Sequence, residues 1–464
     1  MAGAIPTELG EKPIKSLIRQ YAVPGIIAMT ASSLYNMVDS IFIGHIPGVG
    51  ALAISGLAVT FPLMNISAAL GTLVGVGAST MISVLLGQKN YALANKVLAN
   101  EVTLNIVVGL LFTALTLIFM DPILRFFGAS ENILPFARDY MTVIAIGNVV
   151  THLYFGLNSV IRSSGNPRTA MGLTLFTVTS NAILDPVFIF VLGMGIRGAA
   201  IATVLCQTMA LAYTLVFFMD RRKLLHLPKK KIFQVDWKIA KDSLAIGMGP
   251  FLMNLASCIV VLFINRQLAH WGGDLAIGAY GIANRISFLF VMIVMGFNQG
   301  MQPIAGYNYG ARKYSRVKEV YVRTATWATI VCTAGFIVSV FLPGPTVKLF
   351  TSDPALVELS ARGLRIMNLV FPIIGFQMVT TNLFQCLGMV GKSIFLSLSR
   401  QLLILLPCIY VLPSLLNSDA GVWYSFPLSD FIASFLTAVM ALGLIRKLGK
   451  LSDGDDPSVL GSRI

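Results

Sequence analysis

The sequence predicts an all-α polytopic membrane protein: twelve transmembrane helices in two pseudo-symmetric six-helix bundles. Three observations predict it. The 464 residues are 56% hydrophobic and only 12% charged, with a mean hydropathy of +0.79, far from the roughly one-quarter charged content of soluble domains. The apolar runs separate into about twelve stretches of roughly 20 residues or more, each long enough to cross a hydrocarbon core of about 30 Å. The chain also repeats itself at an offset of 223 residues: Gly50, Leu52, Ala53 and Ile54 recur as Gly273, Leu275, Ala276 and Ile277, and Gly77, Gly87, Tyr91, Phe127 and Gly165 recur as Gly300, Gly310, Tyr314, Phe350 and Gly388. One duplication therefore organises the whole chain.

In order, the N-terminal lobe, residues 1–219, holds spans at 17–44, 51–86, 97–120, 134–160, 170–192 and 195–219. A basic linker, 220–243, follows. The C-terminal lobe, 244–446, holds spans at 244–269, 275–307, 320–342, 357–383, 393–412 and 422–445, and 447–464 form a tail whose Asp453, Asp455 and Asp456 read as a solvated end. Six spans per half is an even number, so both copies start on the same side, as parallel repeats about an axis along the membrane normal with a cavity between the lobes.

The formal charge of +14 sorts by side. Lys89, Lys96, Arg162, Arg168, the run from Arg221 to Lys231, Arg312, Lys313, Arg316, Lys318, Lys392, Arg446, Lys447 and Lys450 share one side of this topology, while the opposite loops hold only Arg125, Arg197 and Lys348. The positive-inside rule then puts both termini in the cytoplasm and the protein in the cytoplasmic (inner) membrane. The charge is topogenic, and no nucleic-acid partner is expected. No cleavable signal peptide is expected either, because the first apolar run is too long for an h-region. The five cysteines fall within predicted spans without CxxC spacing and read as small core residues. The 41 glycines favour close helix packing, and prolines inside spans, Pro24, Pro186 and Pro303, are candidate hinges because they remove an amide donor.

Charged groups deep in a span are expensive and therefore functional candidates. Asp39 lies about 22 residues into the first span and Asp185 about 15 into the fifth, at roughly 33 and 23 Å along their helices at 1.5 Å per residue. Tyr35 and Asn36 precede Asp39 by four and three residues, and Asn181 precedes Asp185 by four, so each acid shares a helix face with polar partners. Pro186 leaves the carbonyl of Ala182 without its donor. Carboxylate, amide and freed carbonyl oxygens suit Na+, with Asp39, Asp185 and Asn181 as its ligands, and a buried carboxyl equally suits a proton. The offset sends Asp39 to Leu262 and Asp185 to Cys408. Scaffolding polarity would recur in both lobes, so the pair reads as a specialised site of the N-terminal lobe.

The C-terminal lobe carries Asn284, Arg285, Gln299 and Gln302, with Met292 as soft, adaptable surface, and Asp430 as a candidate for a salt bridge inside the lobe. Signals for an enzyme are weak. Gly391-Lys392-Ser393 lacks the glycine and the strand of a phosphate loop, the four histidines are scattered, and no cofactor is implied.

The run from Tyr35 to Gly44, the paired motifs Gly87 to Tyr91 and Gly310 to Tyr314, the stretch Arg162-Ser-Ser-Gly-Asn-Pro167 and Asn181 to Pro186 together resemble the multidrug and toxic compound extrusion family, in its prokaryotic branch of DinF- and MepA-like transporters. The resemblance implies two six-helix bundles that export cationic drugs in exchange for Na+ or H+. It carries an ion site onto Asp39 and Asp185, with Tyr35, Tyr140, Asn158, Asn181 and Thr203 as accompanying polar positions. Other branches of the family place acids in the seventh and eighth spans, and those spans hold none here, so coupling through the C-terminal lobe is not expected.

The function expected is therefore a cation-coupled antiporter, not an enzyme, working by alternating access. The cation-coupling residues are Asp39, Asp185, Asn181, Tyr35, Asn158 and Thr203. The substrate cavity takes Asn36, Tyr140, Asn284, Arg285, Gln299, Gln302 and Met292, with organic cations or other amphipathic drugs as substrates, the bilayer as surroundings and a monomer as the assembly. The alternative is a flippase of a lipid-linked or amphipathic substrate on the same fold.

Overall fold

The computed structural model describes residues 7–228, 234–350 and 353–456, except the side chains of Thr7, Leu34, Asn36, Met37, Ala51, Ile54 and Asp274. Its long helices are α1 (Ile14–Gly44), α2 (Gly50–Gly87), α3 (Tyr91–Ile118), α4 (Leu134–Ser163), α5 (Pro167–Val191), α6 (Gly195–Met219), α7 (Trp237–Gly273), α8 (Leu275–Gly310), α9 (Tyr314–Phe341), α10 (Pro354–Met367 with Phe371–Cys386), α11 (Val390–Leu416) and α12 (Ala420–Lys450). Eleven are long and apolar enough to cross a membrane, and the two halves of α10, bent by 55°, make the twelfth. Pro372 explains that bend, because a proline in the first turn of the second half cannot donate to the carbonyl behind it. Asn368 sits at the break and bonds to Ser287 and Ser339, its amide nitrogen donating to their hydroxyls at 2.8 and 3.0 Å.

The repeat is visible in the backbone. Lys89 and its counterpart Arg312 both take left-handed conformations, φ 59° and 55°, and Gly165 and Gly388 do the same at 94° and 68°. Gly273 separates α7 from α8 with φ 68° and ψ −169°, a combination open to glycine alone. Each repeat also carries a buried serine–asparagine bond between its second and fourth helices, Ser67 with Asn148 and Ser287 with Asn368, although the two pairs are 220 and not 223 residues apart.

By contacts the chain divides into two compact units that exchange segments. The first comprises residues 1–11 and 27–251, the second 12–26 and 252–464. The start of α1 thus belongs with the C-terminal helices, and the start of α7 with the N-terminal ones. Glycines make both exchanges tight. In the second unit, a Cβ on Gly300 would lie 2.6 Å from the backbone nitrogen of Ala22, and one on Gly296 2.5 Å from the Cα of Ile26. In the first unit, a Cβ on Gly77 would lie 2.0 Å from the carbonyl oxygen of Ser243, and Gly77 is the repeat counterpart of Gly300. Small residues let helix backbones approach this closely.

One expectation is corrected and one is extended. Helix α7 begins at Trp237, inside the stretch read as linker, because Ala240 and Leu244 pack against Val74 and Leu104 and need a helix to do so. The acidic tail is exposed as far as Asp456, as expected, but it is also held against the start of α9. Ser315 donates to Asp453 through its amide at 3.0 Å and its hydroxyl at 2.6 Å, Tyr314 donates to the Asp455 carbonyl at 2.8 Å, and Gly454 donates to that of Arg312 at 2.8 Å. Asp453 therefore caps the first turn of α9, where N–H groups are otherwise unsatisfied. Residues 457–464, and 229–233 of the linker, lie outside the described residues.

Each unit has its own apolar core. Leu63, Phe112, Tyr140 and Met141 centre the first, and Ile264, Tyr280, Ile286 and Trp423 the second. The outer faces are apolar too: Val107, Leu111 and Ile118 on α3, and Phe431, Phe435, Val439 and Leu442 on α12, are exposed at helical spacing. Helices apolar all round belong in lipid.

Candidate functional site

Asp39 and Asp185 are brought together inside the first unit. Asp39 is 5% exposed and Asp185 is fully buried, and their carboxyls act on each other, with the rings of Tyr35 and Tyr140 within the same field. Helix geometry places the partners: Tyr35 is one turn before Asp39 on α1, and Asn181 one turn before Asp185 on α5. Thr203 on α6 joins the two helices. Its hydroxyl bonds to the Tyr35 hydroxyl at 2.8 Å and accepts from the Asn181 amide nitrogen at 3.2 Å. Beyond Asp185, Pro186 interrupts regular helix hydrogen bonding, and α5 continues as a π-helical turn, Val187–Val191, a feature frequent at functional sites.

Four oxygens in this cluster have no hydrogen-bond partner: Oδ1 of Asp39, both carboxyl oxygens of Asp185 and Oδ1 of Asn181. Two facing carboxylates cannot both stay ionised and unpaired in a buried site, since desolvation and mutual repulsion both oppose it. A proton or a small hard cation answers both costs. Among the described residues no group of three or more His, Cys, Asp or Glu could hold a metal. A cation here would therefore draw its remaining ligands from amide and hydroxyl oxygens, and Asn181, Thr203 and Tyr35 supply that kind of donor.

Other predicted site residues lie elsewhere. Asn158 commits its amide nitrogen to the carbonyl of Ala170 at 3.1 Å and its oxygen to Arg162 at 3.3 Å, and no hydrogen bond ties it to the acids. The side chain of Asn36 is outside the described residues. Asn284, Arg285, Met292, Gln299 and Gln302 all lie on α8 in the second unit, with Asn284 and Arg285 exposed and Gln302 buried. Pro24 and Pro303 sit within α1 and α8, both in that unit. Asp430 forms the expected salt bridge inside the lobe, accepting from Nε of Arg400 at 2.6 Å.

One buried acid was missed. Glu101 on α3 is 1% exposed, and neither carboxyl oxygen has a partner. The expected span began at residue 97, which placed Glu101 at a membrane boundary. The helix begins at Tyr91, so Glu101 lies ten residues in, about 15 Å along the axis.

Fold and site together define a multi-pass membrane transporter that carries an unpaired carboxyl pair in its N-terminal bundle. The MatE family model matches residues 24–187 and 245–411, and the chain belongs to that family, as the resemblance read from its motifs implied. The multidrug export protein MepA of Staphylococcus aureus is 28% identical over 436 residues, 94% of each chain, and that of Staphylococcus haemolyticus is 28% identical over 94% of this chain and 95% of its own. Among solved structures, a MATE protein in the bent conformation matches at TM-score 0.89 and 24% identity over 96% of this chain and 99% of its own. An outward-facing multidrug resistance MATE transporter matches at TM-score 0.90 and 23% identity over 97% and 99%. These place the chain in a family of transporters, not of enzymes.

Proposed function

We propose that this protein exports small organic cations or other amphipathic drugs in exchange for Na+ or H+, with Asp39 and Asp185 as the ion site. The observation that carries the reading is the set of four buried, unpaired oxygens on Asp39, Asp185 and Asn181. The names of the staphylococcal relatives, multidrug export proteins, support the substrate class. Tyr35, half-buried, adds an aromatic face that attracts an organic cation, whereas Tyr140, expected in the substrate cavity, is 1% exposed and packs in the core of the first unit.

Coupling requires the ion to favour one conformation, because equal affinity for both shifts nothing. The element suited to this is α1. Its segment 12–26 belongs to one unit and the rest, with Tyr35 and Asp39, to the other, and Pro24 lies two residues before the division. Neutralising Asp39 removes its repulsion with Asp185 and changes the balance between bent and straight forms of α1. Solved MATE proteins described as bent and as straight support such a pair of states. Asn36, Asn284, Arg285, Met292, Gln299 and Gln302 are assigned to substrate contact, Asn158 to support of the ion site, and Pro186 and Pro303 to bending within each lobe. The lobes 1–219 and 244–446, an inner-membrane location with both termini cytoplasmic, and a monomeric assembly complete the reading.

The test is ethidium efflux from proteoliposomes under separately imposed Na+ and H+ gradients, with wild type, Asp39→Asn and Asp185→Asn. Efflux driven by one gradient and lost in either variant is expected. Full efflux in both variants would overturn the assignment.

A further inference from the structure

A second set of orphaned polar groups runs through the same unit, between α2, α3 and α4. Asn148, His152 and Gly156 occupy successive turns of α4. Ser67 on α2 bonds to Asn148 and lies 3.1 Å from Nε2 of His152. Gly71, one turn on, packs against the His152 ring, and a Cβ on Gly75 would lie 2.8 Å from the Cα of Gly156. On the other side of Gly156 lie Asn105 and Glu101 of α3, with Nδ2 and Oε1 each 2.6 Å from where a Cβ of Gly156 would stand. The missing side chain makes the room into which both groups point.

All of these side chains are buried: Asn148 1%, His152 0%, Asn105 0%, Glu101 1% and Ser67 5% exposed. Yet Nδ2 of Asn148, Nδ1 of His152, both amide atoms of Asn105 and both oxygens of Glu101 have no partner. The buried seam of Ser287, Asn368 and Ser339 in the second unit is paired. The repeat counterpart of Glu101 is Thr324, so the acid is peculiar to one lobe.

We propose that Glu101 is a second proton-binding site of this protein, separate from the Asp39 and Asp185 pair, and that Asn105, His152, Ser67 and Asn148 form the seam along which its proton exchanges. A buried ionised carboxylate with no protein partner is the costliest state for this position. The charged and titratable groups on the packed elements do not neutralise it. On α3 itself Lys96 stands five residues earlier; α4 offers His152 and Arg162, the latter bonded to Asn158; α7 offers Asp236, Lys238, Lys241 and Asp242 in its approach and first turns; α2 carries no titratable residue from Ser67 to Leu86. Only a proton needs no further ligands, and His152 is the side chain best suited to pass one on. A cavity lies at the neighbouring position in the sequence, lined by none of the seam's own side chains. Asn100, beside Glu101, lines a cavity of about 490 Å³ with Lys96, Val235, Asp236 and Trp237.

The test is infrared difference spectroscopy on purified Asp39→Asn/Asp185→Asn protein, which isolates this site from the reading above. At neutral pH that protein is expected to show a protonated-carboxyl C=O band that exchanges in D2O, and adding Glu101→Gln should remove it. His152→Phe should keep the band and slow its exchange severalfold. Gly156→Ala, which keeps Glu101 but fills its room, should shift the band and serves if Glu101→Gln fails to fold. A band unaffected by Glu101→Gln and by Gly156→Ala, or no such band at all, would overturn the proposal. So would bleaching of the band by Na+ at constant pH, which would mark a metal-cation site.

Discussion

Replacing Gly300 by alanine tests the exchanged packing of α1. The new Cβ would stand 2.6 Å from the nitrogen and 2.7 Å from the Cα of Ala22, where ordinary contact begins at 3.4 Å. The shortfall is about 0.8 Å, and both opposing atoms are backbone, so no side chain can swing aside. Helix α1 must move away from α8. Overpacking of this kind costs about 1–3 kcal/mol, against a gain of at most about 1 kcal/mol from the better helix propensity of alanine. Gly172→Ala in α5 is the matched control. Its Cβ meets nothing within 4 Å, so only the propensity gain of at most about 1 kcal/mol applies. A thiol-reactive fluorogenic dye can report unfolding in detergent, because Cys206, Cys332 and Cys386 are free and buried. Gly300→Ala should lower Tm by a few degrees, and Gly172→Ala should leave it unchanged or raise it. A Gly300→Ala protein as stable as wild type would refute the close α1 to α8 crossing.

Three further outcomes are expected. Arg400→Met leaves Asp430 buried and unpaired, at a cost of about 3 kcal/mol, while Arg400→Met with Asp430→Leu recovers most of it; the same dye assay reads both. Thr203→Val removes the bonds from Tyr35 and Asn181, costing about 1 kcal/mol each and weakening ion binding severalfold with the carboxyls intact, which a titration of ion-dependent stability would show. For Asp453, outside the spans, burial raises the carboxyl pKa, but the amide and hydroxyl of Ser315 donate to it and hold it below its ordinary value. Its contribution is therefore present above the unfolded carboxyl value of about 3.9 and is lost as pH falls through the folded value. Protection of the Ser315 amide from hydrogen exchange, corrected for intrinsic rates, should fall over that acid range and be absent at neutral pH in Asp453→Ala.

Legibility in the sequence followed the physics of each feature. The spans, the repeat and the candidacy of Asp39 and Asp185 were readable because a bilayer penalises charge and rewards about 20 apolar residues so strongly that composition alone exposes them. The exchange of α1 and α7 between units was not readable, because it depends on which surfaces Gly77 and Gly300 meet, and a glycine in a span looks the same whatever it faces. Glu101 was hidden by a boundary error of six residues at the start of α3: the polar first turns, with Asn95 and Lys96, lower the local hydropathy although they are helical. The clasp of Asp453 on Ser315 joins residues 138 apart in sequence, and an acidic tail carries no local sign of it. Asn158 lies on α4 with hydrogen bonds to Ala170 and Arg162, partners that its place in the motif does not reveal.

The most direct test of the central claim counts ions. Purified wild-type protein in weakly buffered detergent solution should release protons, or Na+ in a preloaded sample, as an organic cation such as ethidium binds. Asp39→Asn/Asp185→Asn protein should still bind ethidium and lose most of that release. Equal release by the two proteins would contradict the account, because exchange would then run without the carboxyl pair.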